Sequence, residues 1–309
     1  MEATYRQFLY NAVGHTTILL LLGLCFYIQP VNAQQWQDYF LLQGDGLGSI
    51  QFLDPIQNDQ VFLAGTYDDV FTNGGETLPS YGDTDIFFGT WNEQGQNTWI
   101  QGIGGGDDNL LGSALVRSND EFLLATSFFD EIQIGTSSIT SSISSGAFLL
   151  ACTNEQAVLC WSTIFEGNGS RWISDMVETS NGEIIVAGYF SKDLYINQTL
   201  ALSTGEEIGH FIAHFSSDGD FIQAFQIEHT NLSTNVQLAL SGSDELFLAG
   251  SFNDQIIIGG NILIAETQDL DIYITKINLS NLNPIWAVQL GAQYDDHLSN
   301  IIWNEDELV

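Results

Sequence analysis

Positive charge is nearly absent from this chain of 309 residues. Lys and Arg number 5 together, against 39 Asp and Glu, so the formal net charge at pH 7 is -34. A surface of this sign repels nucleic acid and anionic lipid, because both carry dense negative charge. The composition therefore excludes nucleic acid as a partner and favours solubility, cation binding or a salty medium.

Proline and cysteine are also scarce. Four prolines exclude a proline-rich disordered chain, and the three cysteines have no zinc-binding spacing. Hydrophobic residues make up 44 % of the sequence, which is enough for a sizeable core. Ile, Phe, Thr, Ser, Asn and Gly are abundant, and this balance favours strands and turns.

Only the N-terminal region has a long apolar run. Arg6 precedes a 12-residue apolar stretch, Thr17–Ile28, which is too short to cross a bilayer comfortably. Pro30 then interrupts the run, and residues 31–33 (Val-Asn-Ala) match the small-residue cleavage pattern of a secretory signal. We predict that residues 1–33 are a signal peptide, cleaved before Gln34. The mature chain would then be secreted or at the cell surface, without membrane attachment; an uncleaved anchor is the alternative.

Three sequence patterns recur with one period of about 62 residues. Trp36, Trp99, Trp161, Gln223 and Trp286 occupy related contexts at steps of 63, 62, 62 and 63. The second series is FLAGTYDD, FLLATSFFD, IIVAGYFSKD and FLAGSFND, and the third is DIFFGTW, AFLLACT, HFIAHF and DIYITKI. Three series with a common period indicate a tandem repeat.

Each repeat is predicted to contain four strands, here called A to D. In the second repeat these are Leu111–Val116, Glu121–Ser127, Ala147–Cys152 and Val158–Phe165. Asn, Asp, Ser and Gly at the turns after A and after C are typical of hairpins. A long connection joins B to C.

Strand B is apolar without interruption, as in residues 184–187 (Ile-Ile-Val-Ala). A strand with one wet face alternates, so a continuous run indicates burial on both faces. Radial stacking of four-stranded sheets buries both faces, which predicts an all-β fold, a β-propeller of four full blades and a partial fifth. A solenoid of the same period is the alternative.

The repeat resembles the SBBP-type β-propeller repeat of secreted bacterial proteins. Residues 104–108 (Gly-Gly-Gly-Asp-Asp) match its loop before strand A, and residues 250–252 (Gly-Ser-Phe) match its strand B end. Residues 271–276 (Asp-Ile-Tyr-Ile-Thr-Lys) match the start of its strand C. The resemblance covers about residues 35–309 and implies a propeller fold, but little about activity. The third repeat lacks both the Asp pair and the Trp.

These patterns give the predicted boundaries. The β-propeller occupies 34–309, with a closing strand D at 34–43 and an incomplete blade at 297–309. The four full blades span about 47–103, 110–165, 171–227 and 233–290. The incomplete blade begins with strand A at Leu298–Trp303, and we expect it to pair with the closing strand in a longer protein.

Acidic residues collect in the connections after strands B and D, which an antiparallel meander places at one end of every blade. Function favours long loops on a rigid scaffold, so this end is the candidate binding face. Its candidate residues are Asp69, Asp107, Asp108, Asp130, Asp254, Asp295 and Asp296. Carboxylates suit Ca²⁺, although no calcium-loop motif is present. The alternative is that these residues only form turns.

Cys152 and Cys160 are the candidate disulfide. They lie four residues either side of Gln156, so a turn centred there would place them directly opposite each other in strands C and D. Export would permit the bond. The Thr90 and Thr98 pair of the first repeat shows that the position does not require one.

No catalytic constellation is evident. His210 and His214 lie in a strand, where four residues span roughly 13 Å, so one ion cannot bind both. We therefore expect a non-catalytic interaction module that binds an extracellular protein, glycan or surface. The alternatives are a structural repeat segment of a larger surface protein and a polysaccharide-acting enzyme using paired carboxylates.

Overall fold

The computed structural model describes residues 43–44, 48–73, 75–143, 146–227, 232–265, 269–304 and 307–309. Over these residues the chain is all-β, built from strands and turns without helices. None of the described residues belongs to a helix that is long and apolar enough to cross a bilayer. The predicted signal peptide and residues 34–42 of the closing strand lie outside the described residues.

The strands are short, and most are joined by tight turns. The first eleven are β1 (Gln43–Gly44), β2 (Gly48–Ile56), β3 (Gln60–Asp68), β4 (Phe71–Asn73), β5 (Glu76–Leu78), β6 (Thr84–Trp91), β7 (Asn97–Gly105), β8 (Leu111–Val116), β9 (Phe122–Phe128), β10 (Glu131–Ile134) and β11 (Ser137–Thr140). The others are β12 (Ala147–Thr153), β13 (Leu159–Gly167), β14 (Arg171–Glu178), β15 (Ile184–Ile196), β16 (Thr199–Phe215), β17 (Phe221–Ile227), β18 (Leu232–Leu240), β19 (Leu246–Phe252), β20 (Gln255–Ile258), β21 (Asn261–Ile264), β22 (Asp271–Ile277), β23 (Pro284–Leu290), β24 (Trp303–Asn304) and β25 (Glu307–Leu308).

Each of the four full repeats forms one antiparallel meander of four strands. In A to D order, the meanders are β2-β3-β6-β7, β8-β9-β12-β13, β14-β15-β16-β17 and β18-β19-β22-β23. In the second repeat, strand A matches its predicted bounds, and B, C and D match within one or two residues. The alternation of apolar runs with Asn, Asp, Ser and Gly turns therefore located the strands correctly.

The long connections between strands B and C form additional hairpins. The hairpins are β4–β5, β10–β11, β20–β21 and, in the third repeat, the ends of β15 and β16. Three of them pair with the end of strand D of the preceding repeat: β4 with β1, β10 with β7, and residues 194–196 of β15 with β13. The sequence predicted a connection here but not this pairing.

The chain divides into two compact units. The first comprises Met1–Leu111, Glu131–Ile139 and Glu155–Val158, as far as these are described. It holds the first meander and the strands β1, β4, β5 and β10. The second comprises Gly112–Asp130, Thr140–Asn154 and Leu159–Val309, with the other three meanders.

Within the second unit, β15 is buried on both faces. Ile184 and Val186 belong to a hydrophobic cluster with residues of β9 and β12 in the second meander. Ile185 and Ala187 belong to another cluster, with residues of β18 and β19 in the fourth. Because successive side chains alternate between faces, a strand between two apolar layers has no polar positions. The prediction of two-sided burial for this strand is confirmed.

Equivalent strands of neighbouring meanders in the second unit are in contact. The backbone N–H of Leu238 donates to Asp175 at 2.8 Å, which joins strands A of the third and fourth meanders. A Cβ at Gly112 would lie 2.2 Å from the carbonyl oxygen of Ile173, so strands A of the second and third meanders also approach closely. Each contact spans about one repeat in sequence.

The position occupied by Trp in strand D also contacts the next meander. A Cβ at Gly219 would lie 2.3 Å from the Trp161 ring, so that ring covers the turn after strand C of the following repeat. Gln223 replaces the Trp one repeat later, and its amide donates to the Ser280 carbonyl at 3.2 Å in the corresponding turn. The Gln therefore reaches the same turn through a hydrogen bond, where Trp does so through packing.

Residues 297–309 differ from the predicted strand A at Leu298–Trp303. Among the described residues of this segment (297–304 and 307–309), strand structure is limited to β24 and β25, which pair with each other. Leu298 and Ile301 are buried in a cluster with Phe247, and the Trp303 ring stacks on Phe247 at 5.4 Å between centroids. Packing on the fourth meander and hydrogen bonds of the Leu298 backbone with Ser251 and Asn235 therefore hold residues 298–301, while Ile302 pairs with Val309 in the terminal hairpin.

Candidate functional site

In the first unit, the candidate acidic residues lie at one end of the sheet. Asp69 follows β3, and Asp107 and Asp108 follow β7. Strands β3 and β7 run in the same direction, because each is antiparallel to β6. All three side chains are exposed. The expectation that acids after strands B and D share one end holds for this sheet.

The fourth meander, in the second unit, repeats the arrangement. Asp254 follows β19, and Asp295 and Asp296 follow β23. Both strands are antiparallel to β22, so these acids also share one end. In the second meander, Asp130 occupies the corresponding place after β9 and is exposed.

The backbone explains why Asp recurs after strand B. Asp69, Asp130 and Asp254 have φ values of 57°, 50° and 65°, in the left-handed region that Asp and Asn enter more readily than most residues. The carbonyl of Asp130 accepts from the Ser141 N–H at 2.8 Å, and that of Asp254 from the Ala265 N–H at 2.7 Å. These residues therefore close the base of the inserted hairpins.

Asp295 and Asp296 both accept hydrogen bonds from backbone N–H groups. Asp296 accepts from the Ala292 N–H at 2.9 Å, as Asn109 accepts from the Gly105 N–H at 2.6 Å in the first repeat. Asp295 accepts from the Leu270 N–H at 2.9 Å. For these two residues, a turn-forming role accounts for the carboxylate.

Five candidate carboxylates make no such bonds. Within the described part of the chain, no side-chain hydrogen bond or ion pair involves Asp69, Asp107, Asp108, Asp130 or Asp254, and all five are exposed. We call these five residues the loop carboxylates. At three of these positions the fold needs the left-handed backbone that Asp adopts readily, but none of the five charges makes a contact within the described residues. The charges are therefore available to a partner.

The loop carboxylates do not form a calcium cage. Among the described residues, the group of three potential ligands whose donor atoms all lie within 4.8 Å of one another is Glu121, Cys152 and Cys160. Calcium prefers six to eight oxygen ligands, and this group is rich in sulfur.

The cysteine pair is displaced from its predicted register. A β-bulge between Cys152 and Thr153 places Cys152 opposite Trp161, and Thr153 opposite Leu159. Both cysteines are thiols rather than a disulfide, with Cys152 buried and Cys160 exposed. The prediction that Cys152 and Cys160 lie directly opposite each other is wrong. It assumed a symmetric turn, whereas the β-bulge shifts the register of the two strands.

Two buried carboxyl groups, at equivalent positions in two repeats, were not predicted from the sequence. Asp85 and Asp271 begin strand C of the first and fourth repeats, three periods apart, and both have zero exposure. A Cβ at Gly104 would lie 1.9 Å from an Asp85 carboxylate oxygen, and one at Gly291 would lie 2.1 Å from an Asp271 oxygen. Close approach of these Asp residues therefore explains the glycines of the loop before strand A.

Asp85 does not support catalysis despite its perturbed pKa. Burial raises the pKa of Asp85, although backbone hydrogen bonds such as the one from the Tyr81 N–H at 2.7 Å oppose this. A general acid needs a raised pKa, but it must also contact its substrate. Asp85 has no exposed surface through which it could contact a polysaccharide.

His210 and His214 are structural residues of β16. His210 is fully buried, with its two ring nitrogens bonded to Tyr273 and to the Ser233 carbonyl. His214 contacts Glu183 at 3.1 Å. The two residues therefore have separate partners within the fold.

Comparisons with known proteins add no identity. No known family model matches the chain, and no curated protein matches its sequence. The resemblance to the SBBP-type repeat therefore depends on the quoted motifs and on the period.

Proposed function

We propose that this chain is a secreted or cell-surface β-propeller that acts as a non-catalytic interaction module. The supporting observation is the set of loop carboxylates, which are exposed and whose side chains make no hydrogen bond or ion pair within the described part of the chain. The partner would be an extracellular protein or glycan carrying positive charge. Complementary charge steers such partners together and fixes their orientation.

Four features support the propeller architecture. Each repeat forms a four-stranded meander, strand B of the third repeat is buried on both faces, and equivalent strands of neighbouring repeats touch in the second unit. The motifs also resemble those of the SBBP-type repeat. A propeller of stacked blades accounts for all four.

Binding of defined cationic probes tests the function. The probes are a Lys-rich peptide and a chitosan oligosaccharide, measured by calorimetry at two salt concentrations. The test variant carries Asp→Asn at all five loop carboxylates. Asn tolerates the left-handed backbone, so this variant should fold while losing the five negative charges that follow strands B and D in the first, second and fourth meanders.

A control variant removes the same number of negative charges from the turns at the opposite ends of the strands. It carries the amide at five exposed acids in the turns after strands A and C: Asp59, Glu93, Asp120, Asp218 and Asp220. We expect the loop variant to bind at least one probe about tenfold more weakly than the control, since several rim charges contribute a few tenths to about 1 kcal/mol each. Equal weakening in both variants would show non-specific charge attraction and contradict the proposal.

A further inference from the structure

The cysteine pair of the second meander lies beside two charged residues. Cys152 is in β12 and Cys160 in β13, while Glu121 immediately precedes β9. The Cys152 thiol donates to Glu121 Oε2 at 3.3 Å. Arg117 Nη1 lies 2.6 Å from the same oxygen and 3.9 Å from Cys152 Sγ. All four residues belong to the second unit.

Hydrogen bonds hold the Glu121 carboxylate in place. Its Oε2 atom accepts from Asn119 Nδ2 at 2.8 Å and from Arg117 Nη1 at 2.6 Å. Arg117 is itself buried, at 5 % exposure, and also donates to Glu178 at 3.0 Å. A fixed carboxylate therefore lies between two thiols, next to a fixed cation.

We propose that Glu121, Cys152 and Cys160 form a binding site for a thiophilic divalent cation of the Zn²⁺ class. Two sulfurs and one carboxylate oxygen are established ligands for this ion. The exposed side of Cys160 leaves a fourth position for water. On binding, each thiol loses a proton to solvent as its sulfur bonds to the metal, so no oxidant is needed.

The distances suit such a site after a small contraction. With ligand bonds of about 2.0 to 2.3 Å, tetrahedral donors lie roughly 3.3 to 3.8 Å apart. The three donor atoms here are already within 4.8 Å. Cys160 is exposed and Glu121 half-buried, so both side chains have space to move by about the difference.

Local charge also favours a divalent ion. Two thiolates, Glu121 and Glu178 carry four negative charges against the single positive charge of Arg117, so a divalent cation reduces the net local charge from minus three to minus one. A disulfide would involve only the two sulfur atoms and would not explain why Glu121 and Arg117 lie beside them. The bulge has also removed the direct opposition of Cys152 and Cys160 on which a disulfide was predicted.

Cadmium is the most specific probe, because its thiolate complexes have an ultraviolet charge-transfer band that carboxylates do not give. The full chain is used with Cys25→Ser, so that the two remaining cysteines are the pair, under a phosphine reductant. Excess Mg²⁺ occupies weak carboxylate sites. We expect a band that saturates at one Cd²⁺ per chain and is displaced by Zn²⁺.

Two variants test the ligands. Cys160→Ser changes an exposed residue, and Glu121→Gln keeps the shape of the side chain. Each should weaken Zn²⁺ binding, measured by calorimetry, by at least the roughly 10- to 100-fold that loss of an outer-shell partner costs. Glu155→Gln, in the exposed turn between β12 and β13, is the matched control and should bind normally. Circular dichroism verifies that each variant folds.

Three outcomes would overturn the site. One is the absence of the charge-transfer band, and another is unchanged Zn²⁺ affinity in folded Cys160→Ser. The third is the failure of denatured, unreduced protein to react with a thiol reagent at Cys152 and Cys160, which would show a disulfide instead. None of these outcomes involves the loop carboxylates, so they leave the proposed interaction function unaffected.

Discussion

The Nδ1 atom of His210 lies 2.6 Å from the hydroxyl oxygen of Tyr273, which is 63 residues, or about one repeat, further along the chain. The Nε2 atom lies 2.6 Å from the Ser233 carbonyl oxygen, which can only accept. Nε2 therefore carries the proton and donates, and Nδ1 accepts from the tyrosine. The pair ties β16 of the third meander to β22 of the fourth through a neutral imidazole.

The burial of His210 makes stability depend on pH. Burial lowers the pKa of His210 from 6.5 to about 4. Below pH 6.5 the unfolded chain therefore binds a proton on His210, whereas the folded chain binds this proton only below about pH 4. Stability is fully present above 6.5 and is lost as the pH falls towards 4, by about 3 kcal/mol for a shift of this size.

His210→Gln should remove this part of the pH dependence. The measurement is the free energy of unfolding by urea at several pH values between 4 and 7, compared as slopes rather than as absolute stabilities. His214→Gln, four residues along the same strand, is the control and should keep the His210 contribution. An identical slope in wild type and His210→Gln would contradict the assigned neutral imidazole.

Arg117 links two meanders through a buried ion pair. It donates to Glu178 at 3.0 Å and to the Gly182 carbonyl at 3.1 Å, both about one repeat away. Arg117→Met should destabilise the protein by about 3 to 5 kcal/mol, because Glu178 would be left without its cation. Thermal or urea unfolding measures the loss.

Lys192→Met provides the comparison for Arg117. Lys192 pairs with Glu206 at 3.1 Å, but both side chains are largely exposed. Exposed pairs contribute about 0 to 1 kcal/mol, so this variant should remain close to wild type. Similar losses in the two variants would show that the burial of Arg117 does not determine its contribution.

The sequence predicted the strands well because local chemistry determines them. Residues 181–187 contain turn residues followed by an uninterrupted apolar run. This pattern predicted where β15 begins and that residues 184–187 are buried on both faces. The inserted hairpins were not predicted, because the pairing of β10 with β7 joins segments with no shared sequence signal.

The sites were harder to predict than the fold. The acidic residues follow strands B and D as the repeat pattern predicted, but the loop hydrogen bonds were needed to separate Asp295 and Asp296 from the loop carboxylates. Glu121 gave no signal at all, since it lies 31 residues from Cys152 and joins it only through the pairing of β9 with β12. Tertiary contacts of this kind cannot be read from one sequence.

Processing of the N-terminus tests the proposed export. The apolar run Thr17–Ile28 and the Val-Asn-Ala sequence at 31–33 predict cleavage before Gln34. N-terminal sequencing of protein secreted by a bacterial host should therefore start at or near Gln34. Substituting Ala33 with Arg should block cleavage, whereas Asn32→Ser should not. Recovery of residues 1–33 on the exported chain would contradict the signal-peptide prediction.

Gly104 and Gly106 lie two residues apart in one loop, yet they differ in what surrounds them. A Cβ at Gly104 would lie 1.9 Å from an Asp85 oxygen, while a Cβ at Gly106 would have nothing within 4 Å. Gly104→Ala must therefore displace a fully buried carboxyl group, whereas Gly106→Ala adds a methyl group in open space. Overpacking of this kind costs about 1 to 3 kcal/mol.

We expect Gly104→Ala to lower the free energy of unfolding by that amount and Gly106→Ala to leave it near the wild-type value. The double variant Gly104→Ala with Asp85→Ala should recover part of the loss, because the shortened side chain gives the new methyl group space. Recovery would show that Asp85, and not the loop backbone, requires the glycine. If Gly104→Ala were as stable as Gly106→Ala, the close approach of Asp85 to this loop would be wrong.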